Sequence, residues 1–151
     1  MVEDRAVATN RQAYHYYSIL ESIEAGIELK GSEVKSLREG KANLKDSFAH
    51  IEKEEIFLHN LYITPYSHVS FDIPDPLRIR KLLLHKNEII KLSAKVFQKG
   101  FTLIPLKLYF KKGKIKVELA LAKGKKFYDR REELRQKEVA KDTKRALRDK
   151  E

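Results

Sequence analysis

"FTLIPLKLYFKKGKIKVELALAK", residues 101–123, decides the fold. Within it Ile115, Val117, Leu119 and Leu121 alternate with Lys116, Glu118 and Ala120. That is the cleanest period-two pattern in the chain, and it marks a strand with one face in a core. "FTLIPLKLYF" and "KIKVELALAK" flank "KKGK", where Gly113 is free to take positive φ in a tight hairpin turn. Strands joined by so short a turn run antiparallel, which disfavours parallel βαβ winding.

Upstream, residues 1–9 show little periodicity and are expected to form a loose lead-in. "YHYYSILESIEAGIEL", Tyr14 to Leu29, reads as a long strand from its tyrosines and isoleucines. "GSEVKSLREGK" (31–41) predicts a short helix, with Ser32 as N-cap, Val34 and Leu37 on one face, and Gly40 as its end. Residues 44–51 and 56–63 read as strands around "EKEE", and the proline-bearing 64–76 as a loop. Arg78 to Lys99 predicts a helix in which Leu82, Leu83, Ile89, Ile90 and Phe97 share a face. Asp75–Pro76 would start it and Gly100 stop it, with a break near His85. The order is strand, short helix, hairpin, helix, hairpin, tail. It predicts a mainly β protein with about three helices, closing as a small antiparallel OB-like β-barrel.

The 151 residues suit one domain, and the absence of cysteine excludes disulfides and thiolate-bound zinc. No apolar run is long enough to span a bilayer, and "MVEDRAVATN" does not read as a secretory signal, so a cytoplasmic protein without membrane association is expected. The net charge of +10 attracts polyanions, of which nucleic acid is the commonest inside cells. From Lys123 to Glu151 there are 12 Lys/Arg against 7 Asp/Glu, half of the whole excess. Beyond Tyr128 the apolar residues thin to Leu134, Val139, Ala140, Ala146 and Leu147, too few to offset ordering entropy. The expected division is a barrel over 1–128 and a basic tail over 129–151, disordered alone and helical against a polyanionic surface.

Catalysis finds little support. His15, His50, His59, His68 and His85 are scattered without metal-ligand spacing, and "GSEVK" and "AKGKK" hold single glycines, unlike a phosphate-cradling loop. No enzyme activity, metal or cofactor is expected, although a histidine-lysine ribonuclease is a reading to test. "NRQAYHYY" and "AKGKKFYDRR" interleave basic residues with aromatics, which suits phosphate tracking with base stacking. Lys123, Lys125 and Lys126 surround Gly124 and can meet several phosphates. Glu24 in "IEAGI" is an unusual neighbour for phosphate; a carboxylate there can accept hydrogen bonds from base amino groups or orient a lysine.

Read together, "NRQAYHYY", "EAGIELKGSEVKSLREGKANLKDSFA", "RIRKLLLHKNEI", "LIPLKLYF" and "KVELALAKGKKFYDRRE" resemble the small protein B (SmpB) family. The resemblance implies an OB-like barrel without catalytic activity that binds the tRNA-like domain of transfer-messenger RNA (SsrA). It implies delivery with elongation factor Tu and GTP to the empty A site of a stalled ribosome, where trans-translation tags and releases the nascent chain. By motif it carries over Glu24, Leu83 and Lys116 as RNA-binding residues, joined by Asn10, Arg11, Tyr14, Lys123, Gly124, Lys125 and Lys126. Tyr128, Asp129, Arg130 and Arg131 match the family's decoding-centre segment, with the stretch beyond expected as a helix in the vacant mRNA channel. The competing reading is a general OB-fold binder of single-stranded nucleic acid or ribosomal RNA.

Overall fold

A computed structural model of the protein describes residues 5–68 and 71–125. Along the chain run β1 (Arg5–Thr9), α1 (Ala13–Tyr16), β2 (Tyr17–Ile27), α2 (Gly31–Arg38), β3 (Ala42–Asn43) and β4 (Phe48–Glu52). They are followed by β5 (Glu55–His59), β6 (Tyr62–Ile63), β7 (Arg80–Leu83), α3 (Lys86–Lys99), β8 (Thr102–Lys111) and β9 (Lys114–Gly124). The architecture is mainly β with three helices among the described residues.

The hairpin that decides the fold forms as its sequence predicts. β8 and β9 pair from Thr102↔Ala122 to Lys111↔Lys114, and Lys112 (φ 50) and Gly113 (φ 78) make the left-handed two-residue turn that matches strand twist. Ile115, Val117, Leu119 and Leu121 all face the main core, together with Leu103, Leu108 and Phe110. A register shift between Pro105 and Lys107 breaks the alternation of β8. Ile104 and Leu106 face outward, where they join Ala13, Ala120 and Ala122 in a second, smaller cluster, and the extra residue returns Leu108 and Phe110 to the main core.

The seven-stranded sheet has the order β1-β8-β4-β5-β7-β2-β9, and the β8–β9 pairing joins its end back to β8. Strands β8, β4, β5, β7, β2 and β9 therefore form a closed circuit of antiparallel pairings, with β1 appended to β8. β3 and β6 make a small separate pair.

Several expectations need correction. Residues 78–99 are not one helix: Arg80–Leu83 is a strand paired with both β5 and β2, and only Lys86–Lys99 is helical. Leu82 lies in the core while Leu83 faces out, the opposite-face geometry of adjacent strand residues. Asp75 does not begin a helix; its Oδ1 accepts from the Leu77 amide at 2.9 Å in a local turn. α3 presents Ile89, Leu92 and Val96 to the core, whereas Ile90 and Phe97 are exposed. Gly100 does end it, at φ 67.

The N-cap of α2 is Lys30 rather than Ser32. In both α2 and α3 a glutamate three residues in reaches back to the capping amide: Glu33 to Lys30 at 2.8 Å and Glu88 to His85 at 3.0 Å. Residues 5–9 form β1 on β8 rather than a loose lead-in, and Ala13–Tyr16 is a helical turn ahead of β2.

Candidate nucleic-acid interface

Four residues from four strands share the outer face of the sheet. The register sets Leu83 of β7 opposite Gly26 of β2, Gly26 opposite Lys116 of β9, and Lys116 opposite Tyr109 of β8. Their strand neighbours Leu82, Ala25, Ile27, Val117 and Leu108 turn the other way, into the core. Alternation therefore delivers Glu24, Leu83, Lys116 and Tyr109 to one outward surface.

Gly26 leaves a gap in that row. A Cβ at this position would lie 3.2 Å from the Leu83 Cβ, so Leu83 sits directly over the bare backbone. The leucine is nonetheless 46% exposed, an apolar ledge on a polar surface.

Glu24 is held beside this ledge by its neighbours on β8. The Tyr109 hydroxyl donates to Glu24 Oε2 at 2.5 Å, and Lys111 Nζ lies 3.1 Å from the same oxygen. The hydrogen bonds from Tyr109 and Lys111, with the charges of Lys111 and Lys116, lower its pKa against a small opposing desolvation. Glu24 is thus a fixed, ionised acceptor at neutral pH. Lys107 Nζ lies 5.6 Å from the Tyr109 ring centroid, within cation–π range. Tyr109, Lys107 and Lys111 were not singled out from the sequence. The signal was there, because all three share the parity of the outward residues beyond the β8 bulge.

The remaining described candidates lie at the other end of the β2–β9 ladder, where Tyr17 pairs with Gly124 and Ser18 with Lys123. From Tyr17 to Gly26 the strand spans roughly 25–30 Å at about 3.3 Å per residue, so the two groups form separate patches. Arg11, Tyr14, Lys123 and Lys125 are exposed, and the Lys125 amide donates to the Tyr16 carbonyl at 2.8 Å. A cleft of about 490 Å³ opens here, lined by Tyr16, Tyr17, Phe48 and Lys125 among others. Asn10 differs from its companions. It is buried, its side-chain amide donates to the Pro105 carbonyl at 3.0 Å, and it anchors the turn into α1. Lys126, Tyr128, Asp129, Arg130 and Arg131 lie outside the described residues.

The fold does bring two histidines together, which no sequence spacing required. His50 and His59 meet edge to face with centroids 6.2 Å apart, and His59 stacks on Phe48 at 5.0 Å. Among the described residues no group of three or more His, Cys, Asp or Glu is arranged to hold a metal ion. No described helix is long and apolar enough to cross a membrane.

The sequence profile of the family described as "SmpB protein" matches residues 7–149. The chain belongs to the SmpB family. Proteins named SsrA-binding protein are its relatives. That of Syntrophobacter fumaroxidans is 60% identical, covering 89% of this chain and 83% of the relative. That of Geobacter sulfurreducens is 54% identical, covering 97% and 96%. The Aquifex aeolicus protein is 57% identical over 95% of this chain and 92% of its own. A solved structure described as "tmRNA-SmpB: a journey to the center of the bacterial ribosome" superposes with a TM-score of 0.66 at 57% identity, covering 79% of this chain and 84% of that one. The SmpB resemblance read from the five sequence blocks is thereby established over nearly the whole chain.

Proposed function

We propose that this chain binds the tRNA-like domain of transfer-messenger RNA through the sheet face of Glu24, Leu83 and Lys116, and accompanies it to the stalled ribosome. The observation that carries the reading is the register itself: three residues from different strands converge on one exposed surface. The names of the relatives, SsrA-binding protein, and the description of the related structure support the RNA and the ribosome as partners.

In this reading the closed circuit of strands is an OB-like barrel, and residues 1–128 form the preformed RNA-binding unit. The basic 129–151 tail, with Tyr128, Asp129, Arg130 and Arg131 at its root, enters the decoding centre and the mRNA channel. Because tail and mRNA compete for the same space, occupancy by the tail reports a channel without message. Elongation factor Tu with GTP acts through the RNA complex in the cytoplasm, and the protein itself catalyses nothing.

Removing residues 129–151 is the test. Binding to the tRNA-like domain should persist while tagging on stalled ribosomes is lost. Loss of the thermal unfolding transition on truncation would instead make the tail part of the fold.

A second reading draws on the cleft beside α1. Tyr16, Tyr17 and Phe48 with Lys125 offer rings and a cation, the means of a sequence-tolerant single-strand binder. Competition between the tRNA-like domain and generic oligonucleotides separates the two, since the generic binder shows no preference.

A further inference from the structure

A carboxylate on a phosphate-binding face repels what the face must hold, yet this one is built in rather than tolerated. Tyr109 reaches across β9 from β8 to hold Glu24 Oε2, and Lys111 Nζ lies 3.1 Å from Oε2 and 3.4 Å from Oε1. We propose that Glu24, positioned by Tyr109, reads the adjacent N1–H and N2–H donors of an unpaired guanine. The inference deepens the RNA-binding reading of this face and rests on it.

The chemistry selects the base. An ionised carboxylate offers only acceptors, about four lone-pair sites over two oxygens. Guanine is the one standard base whose Watson–Crick edge carries two neighbouring donors, which two carboxylate oxygens accept side by side. Adenine and cytosine set one amino donor beside a ring nitrogen acceptor, and uracil sets one imino donor between carbonyls. Each of these would place a lone pair against the carboxylate. The Tyr109 hydroxyl occupies one site on Oε2, leaving a site there once Lys111 swings aside and leaving Oε1 open. Lys111 is an exposed partner, weakly held, and free to move onto a phosphate.

The surroundings complete a site for one nucleotide. Leu83, lying over Gly26, offers an apolar ledge for the face of the base. Lys116, opposite Gly26, supplies a cation for the adjoining phosphate. Tyr109 is a positioning residue: Lys107 lies within cation–π range of its ring, and its hydroxyl aims the carboxylate.

The test uses the full-length protein and a set of tRNA-like-domain RNAs, each with inosine replacing one unpaired guanine. Inosine lacks only the N2 amino group. One position should weaken binding to the wild-type protein roughly tenfold, within the range of a bidentate base contact. In Glu24→Gln that inosine penalty should vanish, and in Tyr109→Phe it should shrink. A merely structural Tyr109 would lower affinity for guanine and inosine RNAs alike and leave their ratio intact, which would overturn the positioning role. The guanine assignment is overturned if the parent RNA binds but no inosine position matters, or if the penalty persists undiminished in Glu24→Gln. If the parent RNA is itself not bound, the RNA-binding reading falls and the guanine site with it.

Discussion

Glu33 and Arg80 form an ion pair in which both side chains are removed from solvent: Arg80 Nε and Nη2 donate to Glu33 Oε2 at 2.8 and 2.6 Å. Arg78 adds a bond to Oε1 at 2.5 Å, and Arg80 also donates to the carbonyls of Leu61 and Pro76. One carboxylate thus ties the start of α2 to β7, while its arginine partner joins the residue before β6 to the later part of the loop that leads into β7. Arg80→Met should destabilise the fold by about 3 kcal/mol, because the buried Glu33 Oε2 and the Leu61 carbonyl lose their donor while Arg78 and the Lys30 amide still hold Oε1. Urea unfolding measures this; a midpoint near that of the wild type would show the network to be dispensable.

The same carboxylate sets the acid response. Burial alone would raise the pKa of Glu33, but the bonds from Arg78, the Lys30 amide and Arg80 hold it below the ordinary 4.5. A depressed carboxylate pKa contributes stability that is present above the unfolded value and is lost as pH falls through the folded one. Stability should therefore decline as pH drops below about 4.5, and Glu33→Gln, less stable at neutral pH, should show a shallower acid decline. Parallel pH–stability curves for the two proteins would contradict this assignment.

How much of this was legible depended on whether the deciding contact was local. The β8–β9 hairpin could be read because its alternation and the Gly113 turn lie within the stretch itself. Arg80–Leu83 could not, because "RKLLL" is compatible with either helix or strand. Its conformation is set by pairing with β5 and β2 and by the buried Glu33, all distant in sequence. α1 was missed for a similar reason: its short turn is held by Ala13 docking against Ile104 and Leu106 of β8 and Ala120 and Ala122 of β9, all distant in sequence. Leu83 and Lys116 were named only through family resemblance, and Glu24 was singled out from its residues without a place on any face. Their meeting on one face needs the register, and so does the support of Glu24 by Tyr109.

Gly26 tests the ledge directly. Its backbone is not in the left-handed region, and the nearest atom a new Cβ meets in Gly26→Ala is the Leu83 Cβ, at 3.2 Å. That atom is bonded to the β7 backbone and no rotamer change moves it, so β2 and β7 must part by a few tenths of an ångström and unfolding free energy should fall by about 1–2 kcal/mol. RNA affinity should fall several-fold because the ledge is displaced. An unchanged affinity would remove the notch from the interface.

The two lysine patches should answer to salt. Log affinity should fall linearly with log salt, and each phosphate contact removed should flatten the slope by about 0.7–0.9. Lys116→Ala should lower it by one such step, and the Lys123→Ala, Lys125→Ala double variant by about two. A variant whose slope matches the wild type makes no phosphate contact at that position.

The central claim is that the register of β7, β2 and β9 assembles the RNA face. Equilibrium binding of the tRNA-like domain to a Glu24→Ala, Leu83→Ala, Lys116→Ala triple variant tests it most directly, with thermal unfolding confirming an intact fold. These side chains are exposed or half-buried on the outer face, so the variant should melt cooperatively near the wild-type temperature. The account predicts that its affinity falls by roughly two orders of magnitude or more, since three contacts of about 1 kcal/mol or more are lost together. A folded triple variant that binds this RNA as tightly as the wild type would contradict it.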